Sequence, residues 1–138
     1  MNRKILLLAV CLVCAVGFGT WQVWGQDKPE APATGNRAFM RLKLQHAQGV
    51  LEGLTSENFE EIAKHGQAMA LLSHESNWKV LQSPDYNEHS ADFRRICGSL
   101  VKHAKAKNLE AATLDYLLLT TNCVQCHKYV RNERGSGK

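Results

Sequence analysis

The chain has 138 residues, enough for one domain, and 17 basic against 13 acidic side chains give it a formal net charge of +4. Binding to nucleic acids needs basic residues clustered on one face, and this near balance of charges argues against that class of function. We therefore look for function in the predicted elements, taken in chain order.

The first 25 residues have the pattern of an export signal. Arg3 and Lys4 precede an uncharged, mostly apolar run over 5–19. Val23 and Gly25 are small enough for the −3 and −1 positions of a cleavage site after Gly25. The alternative is an uncleaved anchor over 5–24, which is long enough to span a bilayer. Both alternatives predict a periplasmic or otherwise exported domain, and the second one anchors it to the inner membrane. Cleavage would leave a net charge of +2, since it removes two basic residues and no acidic one.

Beyond the signal, the composition divides the chain into three further segments. Residues 26–36 contain Pro29, Pro32 and Gly35 and few apolar side chains, which is typical of a linker. Residues 37–131 have apolar positions at helical spacing and predict four helices without a strand. Because the links between these helices are short, we expect an all-α, antiparallel four-helix bundle. Residues 132–138 are polar and predict a flexible tail.

The periodicity also predicts which helix faces are buried and where the helices begin. Helix 3 is expected to begin near Ser90, and Asn108 either ends helix 3 or caps helix 4. Thr55 and Ser56 are expected to end helix 1 and cap helix 2. The predicted inner faces are Met40, Leu44, Ala47, Leu51 and Leu54 in helix 1, and Ala111, Leu114, Leu118 and Thr121 in helix 4.

The strongest functional signal is the run Cys123-Val124-Gln125-Cys126-His127 at the end of helix 4. Residues three and four apart share a helix face, so both thiols and the imidazole point the same way. Cys-x-x-Cys-His is the attachment motif of a c-type haem, in which the two thiols form thioether links and the histidine binds the iron. The sequence thus predicts one covalent haem c, held through Cys123 and Cys126 with His127 on the iron.

Two other uses of a Cys-x-x-Cys pair fit this chain less well. A thioredoxin-like dithiol follows a strand, whereas residues 109–121 predict a helix leading into the motif. A structural zinc site needs four ligands, and only Cys97 and scattered histidines are present to complete one. We expect Cys97 to be a small buried side chain instead.

Bundle topology suggests a second iron ligand. Helix 4 runs antiparallel to helix 1 in the predicted bundle, which brings His127 level with Met40 near the start of helix 1. A thioether opposite imidazole gives a low-spin iron suited to electron transfer. Met40 as a plain core residue is the alternative, and His74 and His89 are weaker ligand candidates. Other residues expected near the haem are the aromatic Phe39, Trp78, Tyr86 and Phe93, and the basic Arg41, Lys43 and Arg131.

A helical domain with Cys-x-x-Cys-His in its last helix resembles the class II cytochromes c. The resemblance covers residues 37–131 and depends on Cys123, Cys126, His127 and the basic Arg131 four positions later. It implies an exported four-helix bundle with one covalent haem. The low-spin branch of that family has a methionine near the start of helix 1, which Met40 matches. The cytochrome c prime branch leaves the sixth iron position open and binds small gases such as nitric oxide.

These observations predict an electron carrier rather than an enzyme, so we expect no catalytic residues. Its partners would be redox proteins, without nucleic acid, and a membrane only if the N-terminal segment stays uncleaved. The resemblance also leaves a homodimer open as an oligomeric state. The first alternative is a five-coordinate, gas-binding protein, and the second is a haem-free helical interaction domain.

Overall fold

The computed structural model describes residues 35–75, 78 and 80–136, and in this part of the chain there are four α-helices and no strand. They are α1 (Asn36–Thr55), α2 (Phe59–Leu72), α3 (Pro84–Lys105) and α4 (Leu109–Ser136). The predicted all-α class is confirmed, and the four helices pack against one another as a bundle requires. The predicted signal or anchor over 1–25, and the linker as far as residue 34, lie outside the described residues.

Each helix packs on the next one along the chain, whereas α1 and α4 touch only sparsely. The core between them is closed by large buried side chains from all four helices and from the α2–α3 connection. These are Phe39, Val50, Leu54, Ile62, Met69, Trp78, Phe93, Leu100 and Leu119. Cys97 is fully buried among them, as predicted. Among the helices described, none is both long and apolar enough to cross a bilayer.

Two short turns of the same design connect α1 to α2 and α3 to α4. In the first, the N–H of Asn58 donates to the carbonyl of Gly53 at 2.8 Å, and in the second the N–H of Asn108 donates to that of His103 at 3.0 Å. These bonds close Schellman motifs, whose left-handed residues here are Glu57 and Lys107, both at φ 53°. The asparagine of each turn then caps the next helix.

The asparagine caps decide two helix boundaries for which the sequence allowed more than one residue. Oδ1 of Asn58 accepts from the N–H of Glu61 at 3.2 Å, and Oδ1 of Asn108 accepts from that of Ala111 at 3.0 Å. Asn108 is therefore the cap of α4. The cap of α2 is Asn58 rather than Ser56, whose hydroxyl instead donates to the carbonyl of Glu52 at 2.7 Å at the end of α1.

Helix α3 begins at Pro84, about two turns before the predicted start at Ser90. Oγ of Ser83 accepts from the N–H of Tyr86 at 3.2 Å, and proline suits the first helical position because its missing N–H would be unpaired there. Ser90 lies inside the helix, where its hydroxyl accepts from Nε1 of Trp78 at 2.8 Å. The predicted cap at Ser90 was wrong because this buried hydrogen bond, and not a helix end, uses its hydroxyl.

The predicted inner faces of α1 and α4 were wrong in part. Leu44 and Leu51 of α1 are 59% and 47% exposed, while Val50 and Leu54 are buried. In α4 the buried positions are Ala112, Asp115, Leu119 and Asn122, one residue beyond the predicted Ala111, Leu114, Leu118 and Thr121. Helix α4 also continues to Ser136, beyond the boundary drawn at Arg131.

Candidate functional site

The residues of the Cys-x-x-Cys-His motif lie within α4, just after the buried Asn122. Cys123 and Cys126 are half-buried and pack against the core, and His127 is exposed. Nδ2 of Asn122 donates to the carbonyl of His89 at 3.3 Å, which fixes this part of α4 against α3. The motif therefore presents two half-buried thiols and an exposed imidazole, directly after the residue that bonds α4 to α3.

Two apolar cavities adjoin the motif, with volumes of about 280 Å³ and about 380 Å³. Cys126 lines the first cavity and Cys123 the second. Five residues line both cavities: Arg37, Met40, Lys43, Phe93 and His127. The structure thus brings Met40 of α1 and His127 of α4 to the same space, with one thiol of the motif on each side.

The first cavity has walls from the α2–α3 connection and from α3. Trp78, Val80 and Tyr86 line it together with Phe93. The hydroxyl of Tyr86 donates to the carbonyl of Trp78, and the rings of Trp78 and Phe93 lie 4.7 Å apart between centroids. Phe39 packs edge-on against Trp78 at 6.4 Å. The four aromatic residues predicted near the site are therefore in contact with one another. Trp78, Tyr86 and Phe93 line the cavity, and Phe39 packs against Trp78 without lining it.

Lys43 extends into this apolar space. Its Nζ atom lies 3.7 Å from the centroid of the Trp78 ring and 4.7 Å from that of Phe93. A cation over an aromatic face is attracted by the ring quadrupole, which offsets part of the cost of burying the charge. Burial lowers the pKa of the Lys43 ammonium, and ionisation of the nearby Cys123, Cys126 and Cys97 to thiolates would act in the opposite direction.

The thiols and the imidazole of the motif are both shifted toward their neutral forms. Burial raises the pKa of Cys123 and of Cys126, although the charge of Lys43 opposes this. Desolvation lowers the pKa of the His127 imidazole, and the positive charges of Lys43 and Arg131 lower it further. Neutral imidazole is the form that binds metals, so this environment favours His127 as an iron ligand.

Arg131 lies one helical turn after His127 and lines the first cavity. It also lines a shallower cavity of about 270 Å³ with Cys123, Val124 and His127. Arg37 of α1 lines the first two cavities as well. The rim of the site is thus positive on both helices, which suits the carboxylates that a haem carries.

The weaker ligand candidates lie elsewhere. His74 is exposed beyond the end of α2, and the ring of His89 packs on that of Tyr129 at 5.8 Å between centroids. In the part of the chain described, neither residue lines the two main cavities. Met69 does line the second cavity, but its side chain is almost entirely buried in the core.

Two histidine contacts had no signal in the sequence. Nδ1 of His46 lies 2.9 Å from Nδ1 of His65, across α1 and α2. Nδ1 of His103 lies 2.6 Å from the carboxylate of Asp115, across α3 and α4. Each pair joins residues that are far apart along the chain, so only tertiary structure reveals it. Over residues 35–75, 78 and 80–136, no three His, Cys, Asp or Glu side chains converge to form a metal site.

The residues around the cavities fit a covalently held haem. The site offers two half-buried thiols on one helix face, an imidazole with a lowered pKa, a thioether across the same space, aromatic walls and a basic rim. No protein-family profile, curated protein or solved structure matches this chain. The relation to the class II cytochromes c therefore stays a prediction from the motif and its position in the last helix.

Proposed function

We propose that this protein is a monohaem c-type cytochrome that carries single electrons, with one haem c attached through Cys123 and Cys126. His127 and Met40 would be the two side chains that bind its iron. The observation that supports this most is that Met40 and His127 line the same two cavities, with Cys126 beside one cavity and Cys123 beside the other. When bound, the haem supplies reversible one-electron oxidation and reduction of its iron.

Other residues of the site would attach the haem, exclude water from it and pair with its carboxylates. The thiols of Cys123 and Cys126 would hold the group covalently, so it could not dissociate during repeated redox cycles. Trp78, Tyr86 and Phe93 would exclude water from one side, which tunes the potential through burial. Arg131 and Arg37 would pair with the haem carboxylates at the rim. No residue in this scheme acts on a substrate, so we propose an electron carrier and not an enzyme.

Location and partners follow from the same proposal. The N-terminal signal or anchor would place the domain in the periplasm or an equivalent exported compartment, or attach it to the inner membrane if it is uncleaved. Redox proteins would be the partners, and a homodimer is a further possibility. The exposed side of α4 carries positive charge from Lys128, Arg131 and Arg134. Because opposite charges raise the rate at which two proteins associate, this surface favours partners with an acidic surface.

A second candidate function is binding of small gases such as nitric oxide at a five-coordinate iron. The surroundings of Met40 favour this candidate, because the residue is only half-buried and the second cavity leaves about 380 Å³ beside it. A flexible thioether with free space around it is easily displaced. The two functions differ in whether Met40 holds its position against an incoming ligand.

Two measurements separate the candidates. The full chain is expressed with haem-maturation machinery, and a pyridine haemochrome assay counts covalent haem per chain. We expect one haem, and a count of zero would leave the haem-free interaction domain. Absorption spectra of the ferric and ferrous forms then report the axial ligands. Low-spin bands with a sulfur-to-iron charge-transfer feature, and slow uptake of carbon monoxide, support the electron carrier, whereas a high-spin spectrum supports the gas-binding protein.

A further inference from the structure

The contact between His46 and His65 is a second place in the bundle where metal-binding side chains meet. His46 lies on α1 and His65 on α2, and their Nδ1 atoms are 2.9 Å apart. Their ring centroids are separated by 5.2 Å at an interplanar angle of 50°. Neither residue lines the cavities around Met40 and His127. The pair is therefore separate from the proposed haem site.

The contacts around the pair favour one tautomer of each ring. Nε2 of His65 lies 3.2 Å from Oε2 of Glu61, and because a carboxylate only accepts protons in hydrogen bonds, this contact favours the neutral tautomer of His65 with its proton on Nε2. Its Nδ1 then has a free lone pair directed at His46, and Nδ1–H of His46 donates to it. In this tautomer, Nδ1 of His65 would be available to a metal while Nε2 lies beside a carboxylate, an arrangement that metal-ligating histidines commonly have.

Gly49 makes the close approach of the two rings possible. A Cβ atom at this position of α1 would lie 2.4 Å from the His65 ring, far inside van der Waals contact. Glu61 is also held in place, because Nζ of Lys64 contacts both of its carboxylate oxygens at 2.9 Å and 3.0 Å. The side chain of His65 is 19% exposed, so solvent and small ions reach it.

We propose that His46 and His65 form a binding site for one divalent transition-metal ion, with Cu²⁺ as the best-fitting ion. At the usual metal–nitrogen distance of about 2.0–2.1 Å, a nitrogen separation of 2.9 Å gives an angle of about 90° at the metal. That is the angle between neighbouring ligands in tetragonal Cu²⁺ or Ni²⁺ sites, whereas tetrahedral Zn²⁺ would need about 3.3 Å. Water would fill the remaining positions.

Metal binding at this site needs little rearrangement of protons. The proton on Nδ1 of His46 moves to Nε2 of the same ring, which frees the second lone pair without a net change in charge. The groups that face the pair are Glu61 and Lys64 of α2, whose charges offset each other. A cavity of about 150 Å³, lined by Glu52, Glu61 and His65, adjoins the site and has room for water.

The test is Cu²⁺ binding to the ferric, full-length protein, in which the haem cannot reduce the added ion. Titration followed by calorimetry and by Cu²⁺ electron paramagnetic resonance should show one saturable site with splitting from two nitrogens. We expect His46→Ala and His65→Ala each to weaken binding at least tenfold, and Glu61→Gln to weaken it about tenfold by releasing the ring of His65. The matched control is His74→Ala, which removes an exposed imidazole away from the pair.

Gly49→Ala provides a second arm that keeps both histidines. Its added methyl would displace the ring of His65, so binding should weaken while circular dichroism still reports a folded helical protein. Equal or tighter binding of Zn²⁺ would overturn the assignment of Cu²⁺. Absence of a saturable site in the unmodified protein, or a site that survives both alanine substitutions, would overturn the proposal. Neither result bears on the haem, which the haemochrome assay counts independently.

Discussion

Met40 and His127 line the same two cavities, although one lies near the start of α1 and the other toward the end of α4. If Met40 binds the iron of the proposed haem, Met40→Ala should convert a low-spin protein to a high-spin one that takes up carbon monoxide readily, because alanine offers no iron ligand. Absorption spectra with and without carbon monoxide measure this change. Met69→Leu is the control, since it alters a buried methionine of the second cavity at nearly constant volume. An unchanged spectrum in Met40→Ala would remove Met40 from the site.

Lys43 should raise the reduction potential of the proposed haem. Its ammonium lies in the apolar space that Met40 and His127 also line, and a nearby positive charge disfavours the ferric state, which carries the extra charge. Lys43→Met should therefore lower the midpoint potential by roughly tens of millivolts, as Coulomb's law predicts for a partly screened charge. A redox titration measures it, with the exposed Lys102→Met as the control. A potential that rises in Lys43→Met would contradict this placement of the charge.

Gly53 and Gly98 should respond in opposite directions to the same substitution. Gly98 lies inside α3 with no atom within 4 Å of an added Cβ, so Gly98→Ala should stabilise the fold by about 0.5–1 kcal/mol through helix propensity. At Gly53 an added Cβ would meet Ile62 Cγ1 at 2.9 Å, so Gly53→Ala should destabilise it by about 1–3 kcal/mol. Chemical denaturation of both variants checks the pair. Similar effects at the two positions would rule out this account of α1–α2 packing.

Lys107 occupies the left-handed position of the α3–α4 turn at φ 53°. Side chains other than glycine cost about 1–2 kcal/mol there, and part of the gain from Lys107→Gly is lost to the greater freedom of glycine in the unfolded chain. We expect a net stabilisation of about 0.5–1 kcal/mol in thermal or chemical unfolding. Ala106→Gly is the neighbouring control, because Ala106 has φ −81° and should lose stability when replaced. Stabilisation by both changes would point away from the turn geometry.

Cys97 should be unreactive in the folded protein. Burial, with a smaller effect of Cys123, raises its pKa to about 12 from an ordinary value of 9.0. A thiol reagent at pH 8 should therefore leave Cys97 unmodified until denaturant is added. The raised pKa also means that the folded state keeps a proton that the unfolded chain loses above pH 9, so stability should fall as pH rises from 9 toward 12.

The slope of that loss is at most about 1.4 kcal/mol per pH unit for one proton. Cys97→Ala should remove this contribution to the pH dependence, at the cost of a small cavity. Urea unfolding at several pH values between 8 and 11 measures both variants. Rapid modification of native Cys97 at pH 8 would show that the thiol is accessible.

The number of helices in the described part of the chain was predictable from the sequence, as was the place of the motif in the last of them, because both depend on local spacing. The register of α4 was not. Its buried face contains Asp115 and Asn122, which a pattern of apolar residues assigns to the surface. They are buried because Asp115 binds Nδ1 of His103 and Asn122 binds the carbonyl of His89, partners that lie on another helix.

The same limit applies to α1 and to the start of α3. Leu44 and Leu51 of α1 are exposed because α1 packs closely on α2 and only sparsely on α4, so apolar periodicity overstates its buried face. Ser83 and Ser90 are equally good helix caps by composition, and only the hydrogen bond from Trp78 to Ser90 distinguishes them. The meeting of His46 and His65 depends in addition on Gly49, whose role needs the packed structure.

The sparse contact between the first and last helices has a consequence for how the molecule assembles. The pairs α1–α2 and α3–α4 are hairpins with short turns, whose contacts are local and form quickly. The space between α1 and α4 closes only when the first and last of these helices meet, so we expect it to be the last part of the bundle to become ordered. A group bound there would connect α1 to α4 where they make few contacts of their own. Its loss would separate these two helices, while the α1–α2 and α3–α4 hairpins would stay intact.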